Sequence, residues 1–316
     1  MFYLYAHLFF SMSIISIVLI ILGLVLFEII SSIDNAIINA QVLSTMSAKA
    51  RRWFLVWGLL FAVVLVRGLL PWAIIWATNS SLGPIGALTA TFSGDPRVAE
   101  SIEHSAPILF GGGGIFLVFL FFHWLFMEPK SYGLIGEKFF HRQSVWFYAV
   151  VSIILTCAVW YALHVNTMMA FGMVVGSTAF FITHGFKQNA EESEKSLLSG
   201  KKSDIAKILY LEAIDATFSI DGVLGAFAFT LSVPLILIGN GIGAIVLRQL
   251  TLGNIERVQK FVYLKNGAMY SVLLLGMIML ADAFGIHIPA YISPLTTFAI
   301  VGYFLWKSVH ELKGTK

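Results

Sequence analysis

Two segments of this chain repeat one pattern inside otherwise apolar sequence. The first is Glu28-Ile-Ile-Ser-Ser-Ile-Asp-Asn35, and the second is Asp215-Ala-Thr-Phe-Ser-Ile-Asp-Gly222. Each consists of an acidic residue, three further residues, Ser-Ile-Asp and one small residue. The next apolar stretch repeats a second element, a glycine followed nine positions later by an arginine. These pairs are Gly58 with Arg67, and Gly239 with Arg248. Two matched elements in the same order indicate an internal duplication of about three helices per unit.

The composition around these motifs is that of a membrane protein. Of 316 residues, 58% are hydrophobic and only 12% are charged, and the mean hydropathy is +0.86. A soluble globular chain has roughly a quarter of its residues charged. The single cysteine and the net charge of +3 exclude a disulfide-stapled secreted domain and a basic nucleic-acid binder. We therefore expect an all-α, polytopic membrane protein, with residues 1–316 forming one membrane domain.

Hydropathy predicts nine membrane spans, each of about 17 to 31 residues. They cover residues 13–43, 53–77, 107–127, 144–163, 168–186, 205–231, 234–250, 261–283 and 290–306. The first has no basic segment before it and continues through Glu28 and Asp34. We therefore expect a true span there and no cleavable signal peptide.

Basic residues predict how the chain is oriented. All Lys and Arg except Arg67 and Arg97 lie in alternate connections or in the C-terminal tail. Because basic loops stay in the cytoplasm, the N-terminus is expected outside and the C-terminus inside, in the inner (plasma) membrane of a bacterial cell. The predicted units are a first repeat (13–127), two linking spans with a cytoplasmic loop (128–204), a second repeat (205–283), and a last span with its tail (284–316).

The two predicted repeats have opposite orientations, since an odd number of spans separates their starts. Inverted-topology repeats are typical of secondary transporters, whose sites lie near the midplane where the repeats meet. A charged side chain at the centre of a span costs about 2.5 to 3.5 kcal/mol, so it normally faces a cavity or a partner. The alternative, in which the acids only cross-link helices, stays open.

The candidate metal ligands are Glu28, Asp34, Asn35, Asp215 and Asp221. Carboxylate and amide oxygens suit hard divalent cations such as Mn²⁺, Mg²⁺ or Ca²⁺. Neither motif contains His or Cys, which argues against zinc or copper and against an anionic substrate. Four carboxylates in a low dielectric cannot all stay ionised, so protons are expected in the empty site. The sequence thus predicts exchange of a divalent cation for protons.

Glu28 and Asp34 cannot share a face of an ideal helix, because residues six apart are rotated by about 240°. One solution is a single stripe of Glu28, Ser32 and Asn35, with the two acids facing different partners. The other is local unwinding of both motif helices, which would free backbone carbonyls to bind cations. Gly222 favours unwinding in the second motif, and we expect unwinding.

Six more polar residues are candidates for the site or for its gating: Ser32, Arg67, Glu212, Ser219, Asn240 and Arg248. Each arginine lies about 14 residues into its span, where it needs a partner. Arg67 and Arg248 could pair with the acids of the empty site and compete with the metal. They could equally extend to the nearer membrane surface.

These motifs resemble the TerC family of integral membrane proteins, named for tellurium resistance and grouped with LysE-type transporters. Glu28, Asp34 and Asn35 match its first motif, and Asp215 and Asp221 match its second. Further similarity lies in Gly239-Asn240, in Leu247-Arg248 and in the segment from Tyr263 to Gly267. The resemblance implies manganese efflux driven by protons, with the intramembrane acids as the metal site. Departures at Ser219 and after Asp221 indicate a divergent subfamily with its own metal preference.

The function expected from the sequence is therefore a secondary transporter that exports Mn²⁺ in exchange for protons. Its partners would be the cation, protons and the lipid bilayer, without nucleic acid, and Mn²⁺ would be cargo, with no prosthetic group. An enzyme is not expected, because no nucleophile or His-plus-acid set lies at membrane depth. Two alternatives stay open. One is a LysE-type exporter of small solutes, and the other is a non-transport membrane component of a metal or tellurite stress response.

Overall fold

The computed structural model describes residues 14–89, 96–198, 203–253 and 258–314, and these are almost entirely helical, with no strand among them. The all-α prediction is confirmed. The longer helices are α1 (Ile14–Ser31), α2 (Ile33–Ser44), α3 (Ala48–Thr78), α4 (Pro96–Met127), α5 (Phe147–Val165), α6 (Thr167–Leu198), α7 (Asp204–Ala226), α8 (Val233–Gly253), α9 (Leu264–Ala283) and α10 (Ile292–Gly314). Short helical turns at Gly83–Thr89 and Glu137–Arg142 lie in connections. Residues 1–13, where the first predicted span begins, fall outside the described part.

Seven helices are long and apolar enough to cross a membrane, so the protein is a multi-pass membrane protein. They are Ile14–Ser31, Ala48–Thr78, Ser105–Met127, Ser144–Val165, Thr167–Asn189, Val233–Leu250 and Leu264–Ala283. The sixth and ninth predicted spans coincide with α7 and α10, each of 23 residues. At about 1.5 Å per residue these two are also long enough to cross, but they are more polar. The count of nine spans stays a prediction.

The predicted unwinding is wrong for the second motif, and in the first motif it is confined to Ser32. α7 continues without a break through Ser219-Ile-Asp-Gly222. In the first motif only Ser32 departs from helical geometry, and the Ser32 amide still donates to the Glu28 carbonyl at 3.2 Å. Gly222 has a different role, since a Cβ there would lie 3.1 Å from Glu28 Oε2. Glycine permits close helix packing here and does not open the helix.

Close packing of α1 against α8 sets the position of the first motif. A Cβ added at Gly239 would lie 2.5 Å from the Leu24 Cβ, and one at Gly243 would lie 2.6 Å from the Glu28 Cβ. Leu24 and Glu28 are four residues apart, on one face of α1, and small residues spaced in this way let helix backbones approach each other in membranes. Glu28 is therefore held against α8.

A second tightly packed group consists of α4, α6 and α9. A Cβ at Gly112 would be 2.7 Å from the Gly172 carbonyl oxygen, and one at Gly176 would be 2.0 Å from that of Gly112. Aromatic side chains fill the space beside these glycines, including Phe116 and Phe119, which are each 1% exposed. This second group forms a scaffold beside the motif helices.

Candidate functional site

The two motifs lie side by side and antiparallel. Asn35 Nδ2 donates to Asp215 Oδ1 at 2.5 Å, and Gly222 packs against the Glu28 carboxylate. Glu28 is therefore level with Gly222, and Asn35 is level with Asp215. Seven residues separate Glu28 from Asn35, so both motifs occupy one layer about 10 Å deep.

Arg67 joins the opening acids of the two motifs. Its Nε and Nη2 donate to Glu28 Oε1 at 2.9 and 2.6 Å, and its Nη1 lies 3.3 Å from Asp215 Oδ2. The Ser32 hydroxyl donates to the same Glu28 oxygen at 3.0 Å. Arg67 is 2% exposed, Glu28 1% and Asp215 6%. For Arg67, the structure thus shows ion pairing with the motif acids and not extension to the membrane surface.

The backbone of α3 helps to place this arginine. The helix has π-helical turns at Phe54–Gly58 and Ala62–Leu69, and the second contains Arg67. Such turns are frequent at functional sites, because they rotate the following side chains relative to an α-helix. One cation between two carboxylates leaves a net charge of −1 when both acids are ionised. Removing a charge from such a buried group is strongly unfavourable.

The stripe of Glu28, Ser32 and Asn35 is confirmed. All three side chains are buried, at 1%, 2% and 1% exposure. Asp34 faces elsewhere, since its side chain is 42% exposed and pairs with Lys265 Nζ at 2.7 Å. The acids of the first motif therefore have different partners.

Lys265 links Asp34 to a further acid at the end of α4. Its ammonium group is 2.7 Å from Glu128 Oε2, and the other carboxylate oxygen is 3.4 Å from His123 Nδ1. Glu128 follows the last residue of α4. Partial burial raises the pKa of its carboxyl, but the hydrogen bonds from His123 and Lys265 and their charges outweigh burial and hold that pKa below its ordinary value. Glu128 is therefore ionised near neutral pH.

Asp221 also has a lysine partner, because Lys187 on α6 donates to its Oδ2. The four motif acids thus divide into three ion-paired groups, with Glu28 and Asp215 in one and Asp34 and Asp221 in two others. Within the described ranges, no three side chains of His, Cys, Asp or Glu are arranged to hold a metal ion. The conformation seen here keeps the acids paired with the protein's own cations.

Arg248 binds backbone carbonyl groups of α3 and not the acids that Arg67 binds. Its Nη1 donates to the carbonyl oxygens of Phe54 and Leu55 at 2.8 and 3.3 Å, and the guanidinium lies 4.5 Å from the Phe54 ring centre. Glu212 approaches the same part of α3, since a Cβ at Gly58 would be 2.1 Å from its Oε1. The matched glycines and arginines of the two motifs therefore all lie where the predicted repeats meet.

A narrow cavity of about 30 Å³ adjoins the group formed by Arg67, Glu28 and Asp215, here called the Arg67 cluster. It extends from Arg67 and Asp215 past Asn39 toward Leu43 and Phe54, near the connection between α2 and α3. This volume holds one or two water molecules or a small ion. On the other side of Glu28, Phe27 is fully buried and packs on Phe229 with ring centres 5.7 Å apart. These two rings fill the space on that side of Glu28, opposite the cavity.

Several buried polar atoms in or near the motifs lack a hydrogen-bond partner among the described residues. They are Asn35 Oδ1, Asn39 Oδ1, both Glu212 carboxylate oxygens, Ser219 Oγ, Asp221 Oδ1 and both amide atoms of Asn240. Buried polar groups are normally paired with protein, water or an ion. Most of these atoms are oxygens, which suit a hard cation or bound water.

Sequence reasoning missed the partners of Asp34 and Asp221. The basic-residue pattern places Lys187 and Lys265 in cytoplasmic connections. Each lysine in fact lies within the last or first turn of an apolar stretch, at Thr167–Asn189 and Leu264–Ala283. A lysine in that position can extend along the helix toward an acid. The position of the two lysines within the apolar stretches was therefore the sequence feature that could have indicated their partners.

Comparisons with known proteins identify a family for this chain. No curated protein matches the chain, and no solved structure does. A family model described as a protein of unknown function (DUF475) matches residues 33–314. This match covers both motifs except for the start of the first, and the chain belongs to the DUF475 family.

Proposed function

We propose that this protein is a secondary transporter that exports a divalent cation, with Mn²⁺ as the first candidate, in exchange for protons. The observation that supports this most strongly is the sharing of buried Arg67 by Glu28 and Asp215, one acid from each motif. Structural cross-links do not require the same acidic motif twice. A site that opens alternately to the two sides of the membrane does require the motif twice, because each repeat contributes one half of the site.

In this proposal Arg67 is an internal substitute for the transported cation. With Arg67 displaced, Glu28 and Asp215 present two carboxylates to the cavity, and Asn35 Oδ1 adds a buried oxygen with no partner among the described side chains. A divalent cation would then balance both carboxylates, whereas protons or Arg67 balance them in its absence. Because the cation, protons and Arg67 compete for the same pair of acids, binding of the cation releases protons, and this couples their movements.

The cavity supports an ion over an amino acid as the cargo. Its volume of about 30 Å³ accepts a small cation and one water, not an organic solute. The cavity extends toward the connection between α2 and α3, which lies just before Lys49 and is predicted to be cytoplasmic. This conformation would therefore be the one that receives a cation from the cytoplasm, as export requires.

Nine spans and an inverted repeat of three helices belong to the same proposal. In its support, the two motifs run antiparallel at one level, and α7 and α10 have the length of a span. The orientation with the N-terminus outside, in the plasma membrane of a bacterium, rests on the distribution of basic residues. The resemblance to TerC proteins supports manganese as cargo, and the family description adds no function to it.

The test is Mn²⁺ flux into proteoliposomes with a pH-sensitive dye inside, for wild type, Glu28→Gln and Asp215→Asn. We expect wild type to couple Mn²⁺ movement to opposite proton movement, and each variant to lose flux by about 10² fold or more. Asp282→Asn is the matched control. This acid lies near the far end of α9, where it accepts from the Ile288 amide at 2.9 Å.

The outcomes separate the candidate functions. Full flux in both site variants would refute the site. Absence of Mn²⁺ flux in wild type, with transport of an amino acid, would favour the LysE-type alternative. No transport of either, together with unfolding of the Glu28 and Asp215 variants, would favour a non-transport role in which the acids cross-link helices.

A further inference from the structure

Two histidines meet inside the scaffold, away from the Arg67 cluster. His123 on α4 and His184 on α6 have ring centres 4.0 Å apart, and His123 is 8% exposed. Phe147 and Phe180 pack around them, with ring centres 5.5 Å from His123 and 5.9 Å from His184. An imidazole pair in an aromatic pocket is isolated from water on these sides.

One end of the pair leads to solvent. His123 contacts Glu128, and Glu128 contacts Lys265, which also pairs with Asp34. The side chains of Glu128, Lys265 and Asp34 are 30%, 37% and 42% exposed. Protons from water can therefore reach His123 through Glu128 in a single contact.

The other end leads toward the motif acids. His184 and Lys187 are three residues apart on α6, so they share a helix face. Lys187 pairs with Asp221, and the next residue, Gly222, packs against the Glu28 carboxylate. Titratable groups thus extend from Asp34 and Glu128 through the two histidines toward Lys187 and Asp221, and Asp221 is next to the residue that packs on Glu28.

The closeness of the two rings limits the pair to one bound proton. Among the described side chains, the charged groups that face it from the neighbouring helices are Asp34, Glu128, Lys187, Asp221 and Lys265. A second proton would place two imidazolium ions within about 4 Å of each other, which is unfavourable in a low dielectric.

We propose that His123 and His184 together form a proton-binding site that takes up one proton and connects the partly exposed Glu128 to the region of Asp221. Its role in transport rests on the proposed function, because the site would supply the protons exchanged for the cation. Its existence as a proton site does not rest on transport. The two claims are tested separately.

The proton site is tested by titration of the purified full chain in detergent with ¹³C-labelled histidine, followed by NMR. The chain has eight histidines, and single His→Gln variants assign their signals. We expect the NMR signals of His123 and His184 to change together over one pH range, and His184→Gln to alter the pH dependence of the His123 signal. His164, whose Nδ1 is 2.8 Å from the Trp160 carbonyl oxygen, is the reference. Independent titration of His123 and His184, unchanged in either single variant, would overturn the proposal.

The transport role is tested in proteoliposomes by comparing two modes. Exchange of labelled Mn²⁺ for Mn²⁺ needs no net proton movement, whereas flux driven by a pH gradient does. We expect His123→Gln and His184→Gln to keep exchange within about twofold and to lose driven flux by at least about tenfold. His164→Gln should keep both. Wild-type driven flux in both variants would overturn the role of the pair. Absence of both modes in wild type would instead refute the proposed transport function and leave the NMR titration to decide on the proton site.

Discussion

Arg67 and Arg248 occupy matching positions in the two copies of the motif, and they bind different groups. Arg67 bridges two buried carboxylates, Glu28 and Asp215. Arg248 donates to the Phe54 and Leu55 carbonyls and packs on the Phe54 ring. The duplicated sequence is therefore not used symmetrically in this conformation. In the proposed transporter one repeat would move against the other between the two states, and Arg248 would then pair with acids in the opposite state.

The largest effect is expected when Arg67 is removed. Arg67→Gln leaves Glu28 and Asp215 buried without their cation, which costs about 3 to 5 kcal/mol. Arg248→Gln loses the hydrogen bonds to two carbonyls and the contact with the Phe54 ring, and should cost about 1 to 3 kcal/mol. The measurement is the melting temperature of each variant in detergent, taken side by side at one pH.

The double variant Glu28→Gln with Arg67→Gln gives the control for this difference. It removes one charge of each sign, so its loss should be well below the sum of the two single losses. Equal destabilisation by Arg67→Gln and Arg248→Gln would contradict the asymmetry between the two copies.

An intermediate effect is expected at the matched glycines. Gly239→Ala places a methyl group 2.5 Å from the Leu24 Cβ, so α1 and α8 must separate, at a cost of about 1 to 3 kcal/mol. At Gly58 the added methyl group would meet Glu212 Oε1 and the Phe54 ring, with Phe54 Cδ2 at 2.9 Å. Both are outer parts of side chains that can turn, whereas the Leu24 Cβ moves only with its backbone, so Gly58→Ala should cost less.

Gly302→Ala is the matched control for these glycines, because nothing lies within 4 Å of a Cβ added there. In the middle of α10 alanine should stabilise the helix by about 0.5 to 1 kcal/mol. The measurement is again the melting temperature in detergent. A larger loss at Gly58 than at Gly239 would show that Glu212 is fixed in place.

The sequence was sufficient for the helices and for the centre of the candidate site. Long apolar stretches can cross a bilayer only as helices, because lipid offers no hydrogen-bond partners to the backbone. Glu28, Asn35, Asp215 and Arg67 were found because the pattern occurs twice. The partners of Asp34 and Asp221 were not found, since Lys265 and Lys187 approach them only through the packing of α9 and α6. Unwinding was expected wrongly because Gly222 serves close packing as readily as helix opening.

The smallest effect is expected at the outer acid of the first motif. Asp34 is 42% exposed, and water screens its pair with Lys265, so Asp34→Asn should change stability by about 0 to 1 kcal/mol. Asp221 holds the matching position, but its side chain is 13% exposed and pairs with a Lys187 that is 15% exposed. Asp221→Asn removes this largely buried ion pair and should lower the melting temperature more. Equal decreases in melting temperature would mean that the two aspartates are equivalent. The asymmetry between the two motifs would then be confined to the arginines.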